Sequence, residues 1–279
     1  MHSFARIEHA GRAMWAVSQD HQLSVLEELG EAHRIDDIID VIHGKRPMGR
    51  LHAVDASQVH WLSPVPTPGK VVCLGLNYAA HAAEGGNAAP EYPAFFMRGA
   101  SSLIAHDAPL IRPRVSDKLD YEAELAVVIA QRARHLTADQ ALKAVLGYSC
   151  FNDGTLRDYQ RRASQWTIGK NFDGTGALGP WLVPASAVPE GAVGLHIESR
   201  LNGQVMQSDN TRNMIVSVAQ ALVLLSEVMT LEPGDVIAMG TPSGVGYART
   251  PPVWMKPGDR IEIDIEGVGV LSNVVQQEG

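Results

Sequence analysis

The stretch DYEAELAVVIA, residues 120–130, places two acidic residues at the start of an apolar run. Successive side chains of a β-strand point to opposite faces, so Glu122 and Glu124 would lie close together on one face. The apolar residues that follow predict a strand that enters a core, where an unpaired carboxylate is costly. We therefore expect a hard divalent cation or a proton shared between the acids. The alternative is an edge strand with a solvated acidic face.

Composition limits the class of protein. The 279 residues suffice for one large domain, or for a catalytic domain with a small appendage. A net charge of −8 without an extended basic cluster argues against a nucleic-acid partner. Cys73 and Cys150 lie in apolar runs, as reduced core cysteines do. Because no signal segment and no run of roughly 18 apolar residues is found, we expect a cytoplasmic protein without a membrane partner.

A proline-rich connector at residues 63–69 divides the chain into two expected domains, a small N-terminal α/β domain (1–63) and a catalytic domain (64–279). In the first, we predict strands at 4–7, 13–17 and 22–26 and a helix at 35–42. In the second, we predict strands at 70–76, 148–151, 236–239, 260–265 and 269–275. Helices are predicted at 78–84, 137–146 and 217–229, and Gly147 is expected to end the second of them. The fold class is therefore α+β, mostly β.

Asp153 follows a short apolar strand, where loops often present functional groups from a rigid scaffold. It could supply a third oxygen ligand beside Glu122 and Glu124. Three carboxylates with open positions suit magnesium or manganese, whereas zinc would call for cysteine or histidine. The alternative for Asp153 is an ordinary Asp-Gly turn.

His81 and Glu84 are three residues apart on the predicted helix, so their side chains can meet. A carboxylate that orients an imidazole makes a general base near neutral pH. Gly85 and Gly86 follow and could hinge this helix as a lid. A surface ion pair is the alternative.

Lys170 and the loop 240–246 complete the candidate residues. An ammonium beside a metal can stabilise a developing enolate, although a solvent-exposed loop lysine is the alternative. The loop GTPSGVG offers backbone N–H groups and the Thr241 hydroxyl, which could bind a carboxylate; otherwise it is a tight glycine turn.

Two common catalytic motifs are excluded. Residues 174–179 match GxGxxG, but Pro180 follows at once and no helix opens, so dinucleotide binding is not supported. A serine or cysteine nucleophile also lacks support, because no GxSxG is present and neither cysteine has basic neighbours.

Taken together in order, several segments resemble the fumarylacetoacetate hydrolase family in its bacterial single-chain form. The matching segments are GLNYAAHAAE (75–84), LDYEAELAVVI (119–129), GYSCFNDGTLRDYQ (147–160), WTIGKNFDGTGALGPWLV (166–183), LNGQVMQSDNT (201–211), LEPGDVIAMGTPSGVG (231–246) and KPGDRIEIDIEGVGVLSN (256–273). They cover about residues 70 to 275, and residues 1–63 resemble the small variable domain of many members. The resemblance implies a mixed β-sandwich roll, usually a homodimer.

The resemblance also implies roles for nine residues. Those expected to bind Mg²⁺ or Mn²⁺ are Glu122, Glu124 and Asp153; those expected in catalysis are His81, Glu84 and Lys170; those expected to contact substrate are Arg157, Gln160 and Thr241. In this scheme His81 and Glu84 activate water, Lys170 stabilises an enolate and Thr241 holds a carboxylate. Two departures from the family pattern, Met97-Arg98 and Gly154-Thr155, are expected to change substrate shape without harming the metal site.

The reaction that this resemblance implies is hydrolytic carbon–carbon cleavage of a 2,4-dioxo acid, such as an acylpyruvate or a fumarylpyruvate-like acid. Its products would be pyruvate, or a substituted pyruvate, and a carboxylic acid, with the metal as Lewis acid. Decarboxylation of an oxaloacetate-like acid or keto–enol isomerisation at the same enolate site is the alternative. A catalytically silent binding protein is a third interpretation, against which the complete residue set argues.

Overall fold

The computed structural model describes residues 2–20, 22–86, 88 and 90–279. Its strands are β1 (Ser3–His9), β2 (Arg12–Gln19), β3 (Gln22–Leu26), β4 (Leu51–Val54), β5 (His60–Leu62), β6 (Val71–Gly75), β7 (Ala94–Arg98), β8 (Leu103–Ile104), β9 (Leu110–Arg112), β10 (Leu119–Asp120), β11 (Ala123–Ile129), β12 (Val145–Asn152), β13 (Thr155–Leu156), β14 (Gly176–Pro184), β15 (His196–Leu201), β16 (Gln204–Asn210), β17 (Val236–Ala238), β18 (Arg260–Ile265) and β19 (Gly269–Gln277). Its α-helices are α1 (Ile35–Ile42), α2 (Ala79–Glu84), α3 (Ala138–Ala141), α4 (Arg157–Gln160), α5 (Thr167–Lys170) and α6 (Val218–Val228).

The strands form mixed sheets, as the sequence predicts. In the described part of the chain, the largest sheet has the order β4-β3-β2-β1-β14-β12-β11-β17-β6-β7, with β5 paired to β1 and β8 to β14. A five-stranded sheet has the order β16-β15-β18-β19-β9, and β10 pairs with β13 separately. Most neighbouring strands are antiparallel, but β17 and β6 run parallel. The mostly β fold is therefore confirmed.

Strand β11 lies between β12 and β17, and all seven of its residues are buried. This explains its continuous apolar run, which a strand buried on both faces requires. Helix α6 begins at the capping box of Ser217 and Gln220, as predicted, and its buried residues pack in the same core as β11. Cys73 and Cys150 are free and buried.

The predicted strand over residues 120–130 is wrong in one respect, because it is split between β10 and β11. Side chains replace the sheet ladder at the break. The Asp120 carboxylate accepts the Tyr121 amide at 2.9 Å, and Asn152 Oδ1 accepts the Glu122 amide at 3.1 Å. Glu122 thus lies just before β11, and Glu124 lies within it.

The helix predicted over residues 137–146 is too long. Its capping box at Thr137 and Gln140 is present, but α3 ends at Ala141 and a 3-10 turn leads into β12. Gly147, expected to end the helix, lies inside β12. A Cβ there would come 2.2 Å from the Val183 carbonyl oxygen, so glycine permits close contact with β14.

The N-terminal segment contains its four predicted elements and joins the main sheet where Phe4 pairs with Leu182. Phe4, Trp15 and Leu26 share an apolar cluster with residues of β6, β11 and β14. Arg6 donates to the Ser63 carbonyl at 2.8 Å. The division into domains at residue 63 stays a prediction. None of the helices in the described ranges has the length and apolar character needed to cross a membrane.

Candidate active site

Three buried carboxylates meet where β11 begins and β12 ends. Oxygen atoms of Glu122, Glu124 and Asp153 all lie within 4.8 Å of one another, and none of these residues is more than 4% exposed. The Asp153 amide donates to the Glu122 carbonyl at 3.0 Å, which fixes the two segments together. The fold therefore brings together the three residues that the sequence suggests as metal ligands.

Cations compensate two of these carboxylates. Lys170 Nζ lies 2.5 Å from Glu122 Oε2 and 2.6 Å from Asp153 Oδ2. Arg157 Nη2 lies 2.6 Å from Glu122 Oε1. Burial alone would raise the pKa of Glu122, but Arg157, Lys170 and His81 together lower it to about 2. Glu122 is therefore an anion throughout the physiological pH range.

Glu124 is compensated much less. It accepts one hydrogen bond, from the Gly240 amide at 2.9 Å, and it forms no ion pair with any described residue. Burial, followed by the charges of Asp153 and Glu122, raises the pKa of Glu124 well above its usual value. A buried carboxylate in this position calls for a proton or for another cation.

The donor set fits a hard divalent cation. It consists of carboxylate oxygens, the ligands that Mg²⁺ and Mn²⁺ prefer, and it includes the undercompensated Glu124. The residues line an open cavity, which leaves room for substrate oxygens beside them. Among the described residues, this is the one group of three acidic, histidine or cysteine side chains close enough to share an ion.

Lys170 is buried, not a solvent-exposed loop lysine. It ends the short helix α5, and Asp153 and Glu122 raise its pKa even though burial opposes this. Gly169 allows α5 to pack on α4, because a Cβ there would lie 2.5 Å from the Gln160 backbone nitrogen. The ammonium is thus held in the charged form beside the acidic residues.

His81 and Glu84 form the predicted pair. His81 Nδ1 lies 2.8 Å from Glu84 Oε1, and the imidazole is 6% exposed in the cavity wall. The other oxygen of Glu84 accepts the Gly244 amide at 2.8 Å. Because both oxygens of Glu84 are used and Nδ1 faces Glu84, His81 Nε2 is the ring nitrogen left for another partner. Because His81 is buried, the pair is not an ordinary surface ion pair.

The loop 240–246 binds carboxylates through its backbone, but they belong to the protein. The Gly240 amide donates to Glu124, the Gly244 amide to Glu84, and the Gly246 amide to Asp120 at 2.7 Å. Thr241 is buried and lines the cavity. Of the residues in this loop, Thr241 is the one that lines the cavity.

Arg157 and Gln160 lie on α4. Arg157 Nε donates to Asp120 Oδ2 at 2.7 Å, and Nη1 donates to Gln160 Oε1 at 3.0 Å. The third contact, between Nη2 and Glu122, is an ion pair without hydrogen-bond geometry. Burial opposes the charged form of Arg157, but the nearby carboxylates of Glu122 and Asp120 raise its pKa overall. Arg157 is therefore positioned as part of the cavity wall.

A cavity of about 540 Å³ unites the site. Of the nine residues singled out from the sequence, all but Glu84 line it. Other lining residues are Leu74, Gly75, Leu76, Gly85, Phe96, Arg161, Ala163, Ser164, Trp166 and Tyr247. Arg161 packs its guanidinium carbon 4.7 Å from the centre of the Tyr247 ring.

Several structural residues of the site were not found from the sequence. Arg98 Nη1 lies 2.5 Å from Asp153 Oδ1 and donates to the Gly154 carbonyl at 3.0 Å, so it supports a metal-ligand candidate and does not line the cavity. Asp120 holds Arg157, and burial raises its pKa although Arg157 opposes this. The spacing of Asp120 two residues before Glu122 was the available signal.

Known proteins are similar to this chain over most of its length. The model of the fumarylacetoacetate (FAA) hydrolase C-terminal family matches residues 70–276. Oxaloacetate tautomerase YisK of Bacillus subtilis is 42% identical over 223 residues, covering 78% of this chain and 74% of that protein. Mitochondrial oxaloacetate tautomerase FAHD2A of Bos taurus is 41% identical over 228 residues, covering 81% of this chain and 72% of that protein.

Solved structures extend the similarity to the whole chain. The fumarylacetoacetate hydrolase of Exiguobacterium antarcticum superimposes with a TM-score of 0.88 at 35% identity, covering 100% of both chains. The maleylpyruvate hydrolase of Sphingobium sp. SYK-6 gives a TM-score of 0.81 at 29% identity, covering 99% of this chain and 100% of that chain. With its fold, its acidic cluster and these relatives, the chain belongs to the fumarylacetoacetate hydrolase family.

Proposed function

We propose that the chain catalyses the metal-dependent keto–enol tautomerisation of an oxaloacetate-type 2-oxo dicarboxylic acid. One observation carries this proposal: three acidic residues, a charged lysine and an oriented histidine line the same cavity. The choice of tautomerisation over bond cleavage draws on the names of relatives about 40% identical to this chain. Hydrolytic cleavage of a 2,4-dioxo acid, the reaction that the sequence resemblance implies, is the second candidate.

Glu122, Glu124 and Asp153 would hold Mg²⁺ or Mn²⁺. When bound, such an ion supplies Lewis acidity that favours the enolate form of a 2-oxo acid. Lys170 adds a positive charge in the same place, since its ammonium lies within 2.6 Å of oxygens of both Glu122 and Asp153. The Thr241 hydroxyl would bind the carboxylate next to the oxo group.

His81 would move the proton. Its Nδ1 is held by Glu84, so Nε2 would take the proton from the enol hydroxyl and give it to C3 as the ketone forms, and the reverse reaction would run the same two transfers backward. The Glu84 carboxylate stabilises the imidazolium that forms after proton uptake.

Arg161 supports a substrate with a second carboxylate. Its guanidinium packs on Tyr247 and forms no hydrogen bond or ion pair with another described side chain. The other lining cations, Arg157 and Lys170, are paired with protein carboxylates. Arg161 would therefore bind the distal carboxylate at the cavity mouth.

Hydrolysis of a 2,4-dioxo acid is the second candidate, and the His81–Glu84 pair is the observation that favours it. The same Nε2 could take a proton from water that attacks the 4-carbonyl. The name of one structural relative, maleylpyruvate hydrolase, supports this candidate. Decarboxylation of an oxaloacetate-like acid remains a further outcome to score. The homodimer and the cytoplasmic location stay predictions.

The test is a panel of acids assayed with Mg²⁺ and with Mn²⁺. The decay of enol-oxaloacetate is followed by ultraviolet absorbance, and the products of oxaloacetate and acylpyruvates are identified by NMR. We expect rapid equilibration of enol and ketone without carbon–carbon cleavage. Release of a carboxylic acid from an acylpyruvate, with no acceleration of tautomerisation, would replace the proposal with the hydrolytic candidate.

A further inference from the structure

Gln207 connects the acidic strand with the loop that carries Thr241. It lies in β16, is 1% exposed, and does not line the cavity. Its Oε1 accepts the Ala123 amide at 3.0 Å and the Ser199 hydroxyl at 2.9 Å. Its Nε2 donates to Thr241 Oγ1 at 2.7 Å and to the Pro242 carbonyl at 2.8 Å. All of the hydrogen-bonding capacity of this buried amide is therefore used.

Two backbone groups fix the orientation of the Gln207 amide. The Ala123 N–H can only donate, so the amide atom that faces it must be oxygen. The Pro242 carbonyl can only accept, so the atom that faces it must be nitrogen. A flipped amide would lose both bonds and bury unpaired groups, which is costly.

This orientation determines what Thr241 can do. Because Gln207 Nε2 is a donor, Thr241 Oγ1 acts as the acceptor in their bond, and its own hydrogen must point elsewhere. That hydrogen has no acceptor among the residues that the structure describes. Thr241 lines the cavity, so a substrate bound there is the partner left for this hydrogen.

We propose that Gln207 is a positioning residue that makes Thr241 an obligate hydrogen-bond donor toward an anionic oxygen of the substrate. The proposal rests on the proposed function, in which that oxygen belongs to the carboxylate of a 2-oxo acid. It goes beyond that function because a residue outside the cavity, Gln207, determines that Thr241 is the donor in its contact with the substrate. Without this donor the hydroxyl would be free to rotate, so fixing its hydrogen on the substrate would cost free energy.

The test is a double-mutant cycle read by ligand binding. Oxalate is the probe, because its adjacent oxygen anions mimic the carboxylate and enolate of a 2-oxo acid and it undergoes no turnover. Its dissociation constant is measured by calorimetry on the full chain with saturating Mg²⁺. The variants are Thr241→Val, Gln207→Met and the double substitution. Gln207→Met removes the donor, so the Thr241 hydroxyl is free to rotate and its hydrogen is no longer directed at oxalate.

We expect each single substitution to weaken oxalate binding roughly 10- to 100-fold, as the loss of a hydrogen bond to a charged group does. The double variant should bind no more weakly than the weaker single variant, because both remove the same contact. Ser199→Ala is the matched control: it removes a bond to Gln207 but leaves both orienting backbone groups, so binding should stay within about threefold.

Three results would overturn the proposal. The first is multiplication of the two effects in the double variant, and the second is unchanged oxalate binding by Gln207→Met. The third is loss of Mn²⁺ affinity in Gln207→Met, measured by electron paramagnetic resonance, since this would show that Gln207 acts through Ala123 on the acidic residues. Gln207→Glu is the second variant if Gln207→Met does not fold. Its carboxylate keeps an acceptor for the Ala123 amide and would accept the Thr241 hydrogen, so the same weakening of oxalate binding is expected. Wild-type oxalate binding by Gln207→Glu would contradict the proposal.

The outcome is separable from that of the proposed function. Oxalate affinity could change across the single and double variants as expected while the unsubstituted chain fails to tautomerise oxaloacetate. That result would reject the proposed reaction and support the role of Gln207. Failure of the unsubstituted chain to bind oxalate would overturn the inference itself.

Discussion

Glu124 accepts a hydrogen bond from the Gly240 amide at 2.9 Å, and among the described residues this is its one hydrogen bond or ion pair, in a site shared with two other carboxylates. The neighbouring Glu122 contacts both Lys170 and Arg157. The acidic cluster is therefore unevenly balanced, and Glu124 is the residue at which an added cation would relieve the most repulsion.

The first prediction concerns Glu124→Gln. Removing an undercompensated buried charge should raise the free energy of unfolding of the metal-free protein by on the order of 1 kcal/mol. The same substitution should abolish the rise in melting temperature that Mg²⁺ or Mn²⁺ produces. Calorimetry with and without metal measures both effects. The exposed Glu227→Gln is the control, and a metal-induced rise that persists in Glu124→Gln would count against the metal site.

The second prediction concerns His81→Asn. If His81 Nε2 transfers the proton at C3, kcat for tautomerisation should fall by about 100-fold or more with little change in KM. Glu84→Gln should lower kcat less, because it disturbs the imidazole without removing it. The hydrolytic candidate predicts the opposite pattern, in which hydrolysis is lost and enolisation is retained.

The third prediction concerns the cavity mouth. Arg161→Met should raise KM for oxaloacetate by about tenfold, through loss of a charged contact with the distal carboxylate, and leave KM for a 2-oxo monocarboxylic acid unchanged. Arg162→Met is the matched control, because Arg162 is adjacent in sequence but packs 3.6 Å from the centre of the Tyr159 ring. Equal effects on both acids would remove Arg161 from substrate selection.

The fourth prediction concerns the close contact between α4 and α5. Gly169→Ala would bring a Cβ within 2.6 Å of the Gln160 Cα, so α5 must shift and carry Lys170 with it. A displacement of about 1 Å at a catalytic group can lower kcat by about 100-fold. Gly99→Ala, whose Cβ would meet Asn171 Oδ1 at an ordinary 3.5 Å, should keep near-normal kcat. Comparable losses in both variants would show a general effect on folding.

Local patterns in the sequence were sufficient for much of the fold. The capping box at Ser217 and Gln220 and the apolar run of β11 are signals that involve residues close in the chain. The split before β11 could not be predicted in this way, because the Glu122 amide is bound by Asn152, thirty residues away in sequence. Gly147 was misassigned for the same reason: its close contact with Val183 arises only when β12 meets β14.

The residues of the site also divide into those with a local sequence signal and those whose contacts join distant parts of the chain. Glu122, Glu124, Asp153 and the His81–Glu84 pair have local spacing or strand-end positions that suggest chemistry, and the fold brings them to one cavity or its edge. Gln207 carries no such signal, since its partners Ala123 and Thr241 are far from it in the chain. Arg98 stood out only as a departure from the family pattern, and its contact with Asp153 required coordinates.

The most direct test of the central claim is the rate of enol-oxaloacetate tautomerisation before and after exhaustive chelation, in the unsubstituted chain and in Asp153→Asn. If Glu122, Glu124 and Asp153 hold a catalytic divalent ion, chelation should abolish the rate enhancement. Added Mg²⁺ or Mn²⁺ should restore it in the unsubstituted chain but not in Asp153→Asn. Full turnover in the chelated protein, or in Asp153→Asn with metal, would contradict the account.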